Sequence, residues 1–315
     1  MMQYLVILLD DTSVSYCHCD NPHKERRLIG LDDLRMSIRY AMMENLMVQM
    51  VYPNYALPQE YLDVIDTIDH HDIVPWGTGD RPVQEPDVVV MDGLSGESPV
   101  LRNVPYVLRI TKAGLFKSVD AVAQLTQQVA RLNVVITDVE TITDAELPKY
   151  REVLDTLAEV VKAEYLTGCA PQLNLLTDRM MLDKPNHCNA GVENITLAPN
   201  GRFYLCPAFY YTDADDNVGS VAEGLDIRNP QLLRLDHAPL CRHCDVWHCR
   251  RCVWLNRKMT YEVNTPSHEQ CVMAHTERET TRRLLANVRE KATFMSEVEI
   301  KEIDYSDPFD VRKEW

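Results

Sequence analysis

Cys241-Arg-His-Cys244-Asp-Val-Trp-His-Cys249-Arg-Arg-Cys252 places two Cys-x2-Cys steps four residues apart. Each step lets two thiolates from one tight turn reach the same centre. Thiolate is the ligand shared by zinc and iron–sulfur sites. Outward from this quartet the chain carries more of the same chemistry. Cys188 is followed after twelve residues by Gly201, then four residues, then Cys206, and a further cysteine, Cys271, lies beyond the quartet. Gly201 permits a turn that a Cβ would crowd. Four ligands complete one tetrahedral zinc or one cubane cluster. Seven thiolates therefore suggest two centres, one saturated and one three-quarters saturated.

The 315 residues hold ten cysteines and ten histidines. The first long apolar run, Tyr4–Leu9, has no basic residues before it and meets Asp10 and Asp11. It is too short for a signal peptide or a membrane span, so a cytoplasmic protein is expected. In a reducing compartment clustered cysteines are more often metal ligands than disulfides. The net charge of −16, from 48 acidic and 32 basic residues, repels phosphate backbones and argues against nucleic-acid binding.

The first ~180 residues alternate short apolar runs with amphipathic stretches. Strands are expected at Gln3–Leu9, Met47–Tyr52, Ile73–Trp76, Val88–Met91, Tyr106–Ile110, Asn133–Val139 and Gln172–Leu176. Helices are expected from Leu31 to Asn45, Pro58–Ile68, Ser118–Leu132, and from a capping-box pattern at Thr143-Asp-Ala-Glu146 to about Tyr165. Such alternation implies βαβ units and an α/β fold, a parallel sheet or a partial, about six-stranded TIM-like barrel, short of the eight strands of a full one. From His187 the chain becomes Cys-rich and aromatic, with too little aliphatic periodicity to build its own core. A charged helix follows at Thr276–Phe294, then an acidic stretch with Glu297, Glu299, Glu302, Asp304, Asp307 and Asp310, read as a tail or a partner-docking strand. The division is thus 1–180, 181–275 and 276–315.

The order Cys, Gly-x4-Cys, Cys quartet and late lone Cys resembles the SPASM domain that follows radical SAM cores. The resemblance covers Cys188 to Cys271. The family spacing in the quartet is Cys-x2-Cys-x5-Cys-x3-Cys; here each later gap is one residue shorter, which leaves the pairing of individual ligands open. The resemblance implies two auxiliary [4Fe–4S] clusters. Cys188, Cys206 and Cys252 would hold the first, with Cys169 or His187 as a fourth ligand or an open iron site. Cys241, Cys244, Cys249 and Cys271 would hold the second. Zinc is the alternative occupant. Trp247, Arg250, Arg251 and Trp254 could shield and tune a cluster, or simply pack and solvate.

A radical SAM core needs Cys-x3-Cys-x2-Cys after its first strand. Counted back from Cys17, which follows the aromatic Tyr16, the other two positions hold Val14 and Asp10. Cys19 does not restore the pattern. The frame resembles a degenerate radical SAM core that has lost its SAM-cleaving cluster, so no SAM is expected. Together with Cys249-Arg-Arg-Cys252-Val-Trp-Leu-Asn256 and the opening Tyr4–Pro22, the layout resembles the CXXX repeat peptide maturases. That resemblance implies an accessory protein of ribosomal peptide modification, working with a radical SAM partner on a Cys-rich precursor. The alternative is a zinc-stabilised peptide-binding module without redox function.

Other features carry less. Asp138 and Glu140, at a strand end where barrel active sites lie, are substrate-binding candidates. His70-His71-Asp72 is read as a polar helix end, and Met42-Met43 and Met180-Met181 as core. Pro75-Trp-Gly-Thr-Gly79 lacks the Lys-Ser/Thr of a phosphate loop, and neither G-x-S-x-G nor H-E-x-x-H occurs.

Overall fold

The computed structural model describes residues 2–77, 83, 85–95 and 99–303. Thr78, Gly79, Asp304, Asp307 and Asp310 lie outside them. The elements run in the order β1 (Tyr4–Leu8), α1 (Leu31–Glu44), β2 (Met47–Val51), α2 (Gln59–Ile65), β3 (His70–Pro75), β4 (Val88–Asp92), β5 (Pro105–Ile110), α3 (Lys112–Lys117), α4 (Val119–Gln128), β6 (Arg131–Ile136), α5 (Leu147–Thr167), α6 (Asp178–Met181), β7 (Asn194–Leu197), β8 (Phe203–Tyr204), α7 (Pro207–Thr212), β9 (Gly219–Ser220), β10 (Gly224–Leu225), α8 (Val253–Thr260) and α9 (His268–Arg289). This is the expected alternating α/β class. No helix among the described residues is long and apolar enough to cross a membrane.

The chain groups into two compact units, Met1–Pro99 with Asn189–Ala238, and Val100–Cys188 with Pro239–Trp315. This grouping cuts the chain differently from the linear division at 180 and 275. Residues 189–238 join the N-terminal strands because β7 pairs in parallel with β1, Tyr4 opposite Asn194.

In the first unit β1 also pairs in parallel with β2, β2 with β3 and β3 with β4. Leu5, Ile7 and Leu8 are fully buried, as expected of a strand in a parallel sheet. β8 returns antiparallel to β7. The turn between them uses Gly201 at φ +74, where an added Cβ would meet the Asp33 carboxylate at 3.1 Å. The expected turn is therefore real, and glycine is the residue that permits it. His70 and His71 are not at a helix end: they open β3. Met42 and Met43 are not core either, being 64% and 84% exposed. The apolar face of α1 ends at Ala41, one turn before the left-handed cap at Asn45.

In the second unit β5 and β6 pair in parallel. The expected helix Ser118–Leu132 is shorter, because Arg131 and Leu132 already belong to β6. The strand expected at Gln172–Leu176 reduces to one bridge between Leu132 and Leu173. Polar side chains take over the pairing. The Asn174 amide accepts from Val134 N (2.8 Å) and donates to Val134 O (3.0 Å), while the Thr177 hydroxyl accepts from Leu173 N. Side chains that satisfy the backbone locally compete with a ladder. Met180 is buried, but Met181 is 51% exposed.

The Thr143–Glu146 pattern is half realised. The Glu146 carboxylate accepts from Thr143 N and from its hydroxyl, both at 2.9 Å, and α5 opens after it. The last helix begins eight residues earlier than expected, at His268. Ser267 caps it by accepting from Gln270 N. Its early turns are polar yet buried, because Thr276, Thr280 and Thr281 bond back to the carbonyls four residues before them. Cys271 therefore lies on the first turn of α9, not in a separate Cys-rich segment.

Candidate metal centre

Within the second unit four of the expected ligand cysteines line one space. Cys241, Cys244, Cys249 and Cys271 line a small cavity of ≈ 30 Å³. That exceeds the roughly 10–15 Å³ needed for a single water, so the ring has not collapsed on itself. His187, Arg251 and His275 line the same cavity.

The loop bearing the first three thiols is held from both ends. Tight backbone turns join Cys244 N to Cys241 O (3.1 Å) and Cys249 N to Val246 O (3.0 Å). Between the turns, Asp245 accepts two bonds from Arg278 of α9, at 2.7 and 2.6 Å, and one from Arg179 of α6 at 3.3 Å. Burial pushes the Asp245 carboxyl up, but the two guanidinium groups outweigh it and hold the pKa below the ordinary range. Because α9 also carries Cys271, one helix anchors thiols from two distant parts of the sequence. Arg179 further stacks on Trp247 at 4.2 Å, so both side chains brace the loop's outer side.

A second buried network lies beside the ring. Tyr150 of α5 donates to Glu277 of α9 at 2.5 Å, and His248 Nε2 lies 3.1 Å from the other Glu277 oxygen. Sequence reading missed Tyr150, Glu277 and His248, and also Asp245, Arg179 and Arg278. Their partners are up to 127 residues apart, and no local spacing marks them.

The thiols are in an apolar setting. Burial pushes Cys241 up to about 11, against a lowering pull from Arg251, and Cys249 up to about 12. Cys244 is raised for the same reason, and its sulfur lies 3.7 Å from His275 Nε2. In the bare chain these are protonated thiols. A metal must displace their protons to bind. No disulfide joins the cysteines. Among the described residues no three His, Cys, Asp or Glu side chains converge as on a single ion. Four cysteines lining one cavity do supply the donor set of a four-iron cluster.

His187 lines the cavity of the Cys241 group. Its Nδ1 bonds the Cys249 carbonyl at 2.7 Å, and its Nε2 is buried without a hydrogen-bond partner. Cys188 is exposed, its N–H bound to Arg250 O. Cys252 is the N-cap of α8, its sulfur accepting from Leu255 N at 3.5 Å. Cys169 is exposed just past the left-handed cap Gly168 of α5. Cys206 is buried at the start of α7 in the first unit. Asp138 accepts from Lys112 N at 2.7 Å, and Glu140 pairs with Lys258, so both carboxylates have partners within the fold.

In the first unit the loop after β1 is tied down. The buried Asp10 accepts from Thr12 N (2.8 Å) and Thr12 Oγ1 (2.5 Å). Asp11 pairs with Arg27 at 2.8 Å and accepts from the Tyr210 hydroxyl. Arg27 also reaches that hydroxyl, at 3.1 Å, and His23 stacks on the Tyr210 ring at 5.0 Å. Asn21 bonds the carbonyls of Asp11 and Ser13. Cys19 Sγ lies 3.8 Å from Thr212 Oγ1.

Neither a family model nor a curated protein sequence matches the chain. Solved structures do. Histidine-tagged anSMEcpe with bound AdoMet matches with a TM-score of 0.62 at 11% identity, over 94% of this chain and 98% of that one. Native anSMEcpe with AdoMet gives 0.58 at 12% identity, over 91% and 99%. The same protein with AdoMet and the Cp18Cys peptide gives 0.56 at 10%, over 92% and 100%. At such identities the likeness is one of fold alone: this chain shares its fold with anSMEcpe.

Proposed function

We propose that this chain is an iron–sulfur protein of peptide modification that works beside a radical SAM partner and lacks a SAM-cleaving cluster of its own. The observation that carries the reading is the ring of Cys241, Cys244, Cys249 and Cys271 around one cavity, in a fold shared with an enzyme seen with AdoMet and a peptide. These four are the proposed ligands of one [4Fe–4S] cluster. When bound, such a cluster supplies one-electron chemistry. Cys188, Cys206 and Cys252 are carried as the ligands of a first cluster on their sequence order alone.

The case against a SAM-cleaving cluster rests on the loop after β1. Of the three positions that would carry its thiolates only Cys17 does; Val14 and Asp10 stand at the other two, and Asp10 Oδ1 accepts from Thr12 N and Oγ1. The substrate proposed is a Cys-containing precursor peptide, as the resemblance to the CXXX repeat peptide maturases implies, and the setting proposed is the cytoplasm. Residues 1–180 would act as the degenerate barrel, 181–275 as the cluster-bearing part and 276–315 as helix and tail.

Metal and sulfide analysis of the anaerobically purified full chain tests this. About eight irons with matching acid-labile sulfide, for two four-iron clusters, support the reading. Stoichiometric zinc without sulfide overturns it in favour of a peptide-binding module. Cleavage of SAM by the isolated chain under strong reductant overturns the accessory role.

A further inference from the structure

Arg251 stands between Cys249 and Cys252, yet it is 1% exposed and among the largest fully buried side chains. Its backbone is in the left-handed region, φ +43, where a Cβ is crowded by the following carbonyl. Such a conformation persists only where the surroundings enforce it. Arg251 lines the cavity together with the four thiols, and its positive charge pulls on the Cys241 thiol beside it.

A guanidinium cannot shed its proton in a protein. Burying it is tolerated when the groups around it supply negative charge and hydrogen-bond acceptors. Cys241 supplies that charge only as a thiolate, the form it takes as a metal ligand. On the iron–sulfur reading above, on which this inference rests, a cluster becomes more negative by one charge when reduced. A fixed cation and an N–H donor at one of its sulfurs favour that form. We propose that Arg251 is the built-in counter-charge of the cluster held by Cys241, Cys244, Cys249 and Cys271, and that it raises the cluster's reduction potential through an N–H···S bond to Cys241. The role is one of positioning and tuning.

The test is an anaerobic redox titration of the iron-loaded full chain, followed by the EPR signal of the reduced cluster, for wild type, R251M and R251K. At a fixed solution potential R251M is expected to lower the ratio of reduced to oxidised cluster at least tenfold, about 59 mV per tenfold for a one-electron couple. R251K, which keeps the charge, is expected to fall between the two. Should R251M not retain iron, R251Q, which keeps an N–H donor without the charge, is read in the same way against wild type. An unchanged midpoint in an uncharged variant with full iron overturns the role of Arg251 and leaves the cluster standing. A wild-type chain without iron and sulfide overturns the cluster, and Arg251's role with it.

Discussion

His187 Nδ1 lies 2.7 Å from the carbonyl oxygen of Cys249. As the donor in that bond, the ring would leave its Nε2, buried in the wall of the thiol cavity, as a bare lone pair. Burial pulls the His187 pKa below its ordinary value, which keeps the ring neutral. A ring that donates one N–H to a backbone carbonyl and turns its other nitrogen to a site is arranged as metal-ligating histidines are. Yet four cysteines already line this cavity. The expected outcome for H187A is therefore full retention of iron in the Cys241 group. The lost bond to Cys249 should cost about 1 kcal/mol of stability, seen as a lower melting temperature. Loss of iron from that group would show that His187 is a ligand after all.

The four-thiol ring predicts a sharp contrast between cysteines. C241A or C244A should remove about half the iron and lower the melting temperature, because a structural metal centre is coupled to folding. C17A should leave iron content unchanged, since Cys17 belongs to the β1 loop and not to the cavity wall. Iron measured per chain in the three variants decides this. Equal iron in C241A and wild type would count against the ligand assignment, and loss in C17A would reveal a metal at the N-terminal loop.

Strands were legible where apolar runs mark them: such runs lie at Tyr4–Leu8, Met47–Val51 and in the second half of β6, while β6 opens at Arg131, two residues before the expected Asn133. The Gly201 turn was legible too, because only glycine suits its backbone. The failures share one physical cause. Where polar side chains satisfy the backbone or one another at long range, periodicity is silent. Asn174 replaces a strand by amide pairing, and buried threonines hide the first half of α9 from an aliphatic pattern. Tyr150, Glu277 and His248 meet only in three dimensions. The cysteines of the ring could be named from spacing, but the Asp245 clamp that holds them to α9 could not. Arg251 was visible as a residue, and its burial and left-handed backbone were not.

His70 and Asp72 provide a test of stability that does not involve the metal. Two apart on β3, they share one face of the strand, and His70 Nε2 lies 3.4 Å from Asp72. The Asp72 carboxylate beside the ring lifts the His70 pKa to about 9, against an opposing effect of burial and with help from the Ile68 carbonyl. In the unfolded chain the histidine titrates near its ordinary value of about 6.5. The folded state thus binds the proton more tightly. Its stabilising contribution is complete below about pH 6.5 and is lost as pH rises through about 9. Measured against H70Q by urea unfolding, the wild-type advantage should be largest near pH ~6 and shrink steadily toward pH ~9.5, with no change in the denaturant slope. Comparison with the variant cancels every other group that titrates in this window. An advantage that stays constant or grows across it would mean that His70 is neutral in the fold and that the Asp72 carboxylate does not hold its proton.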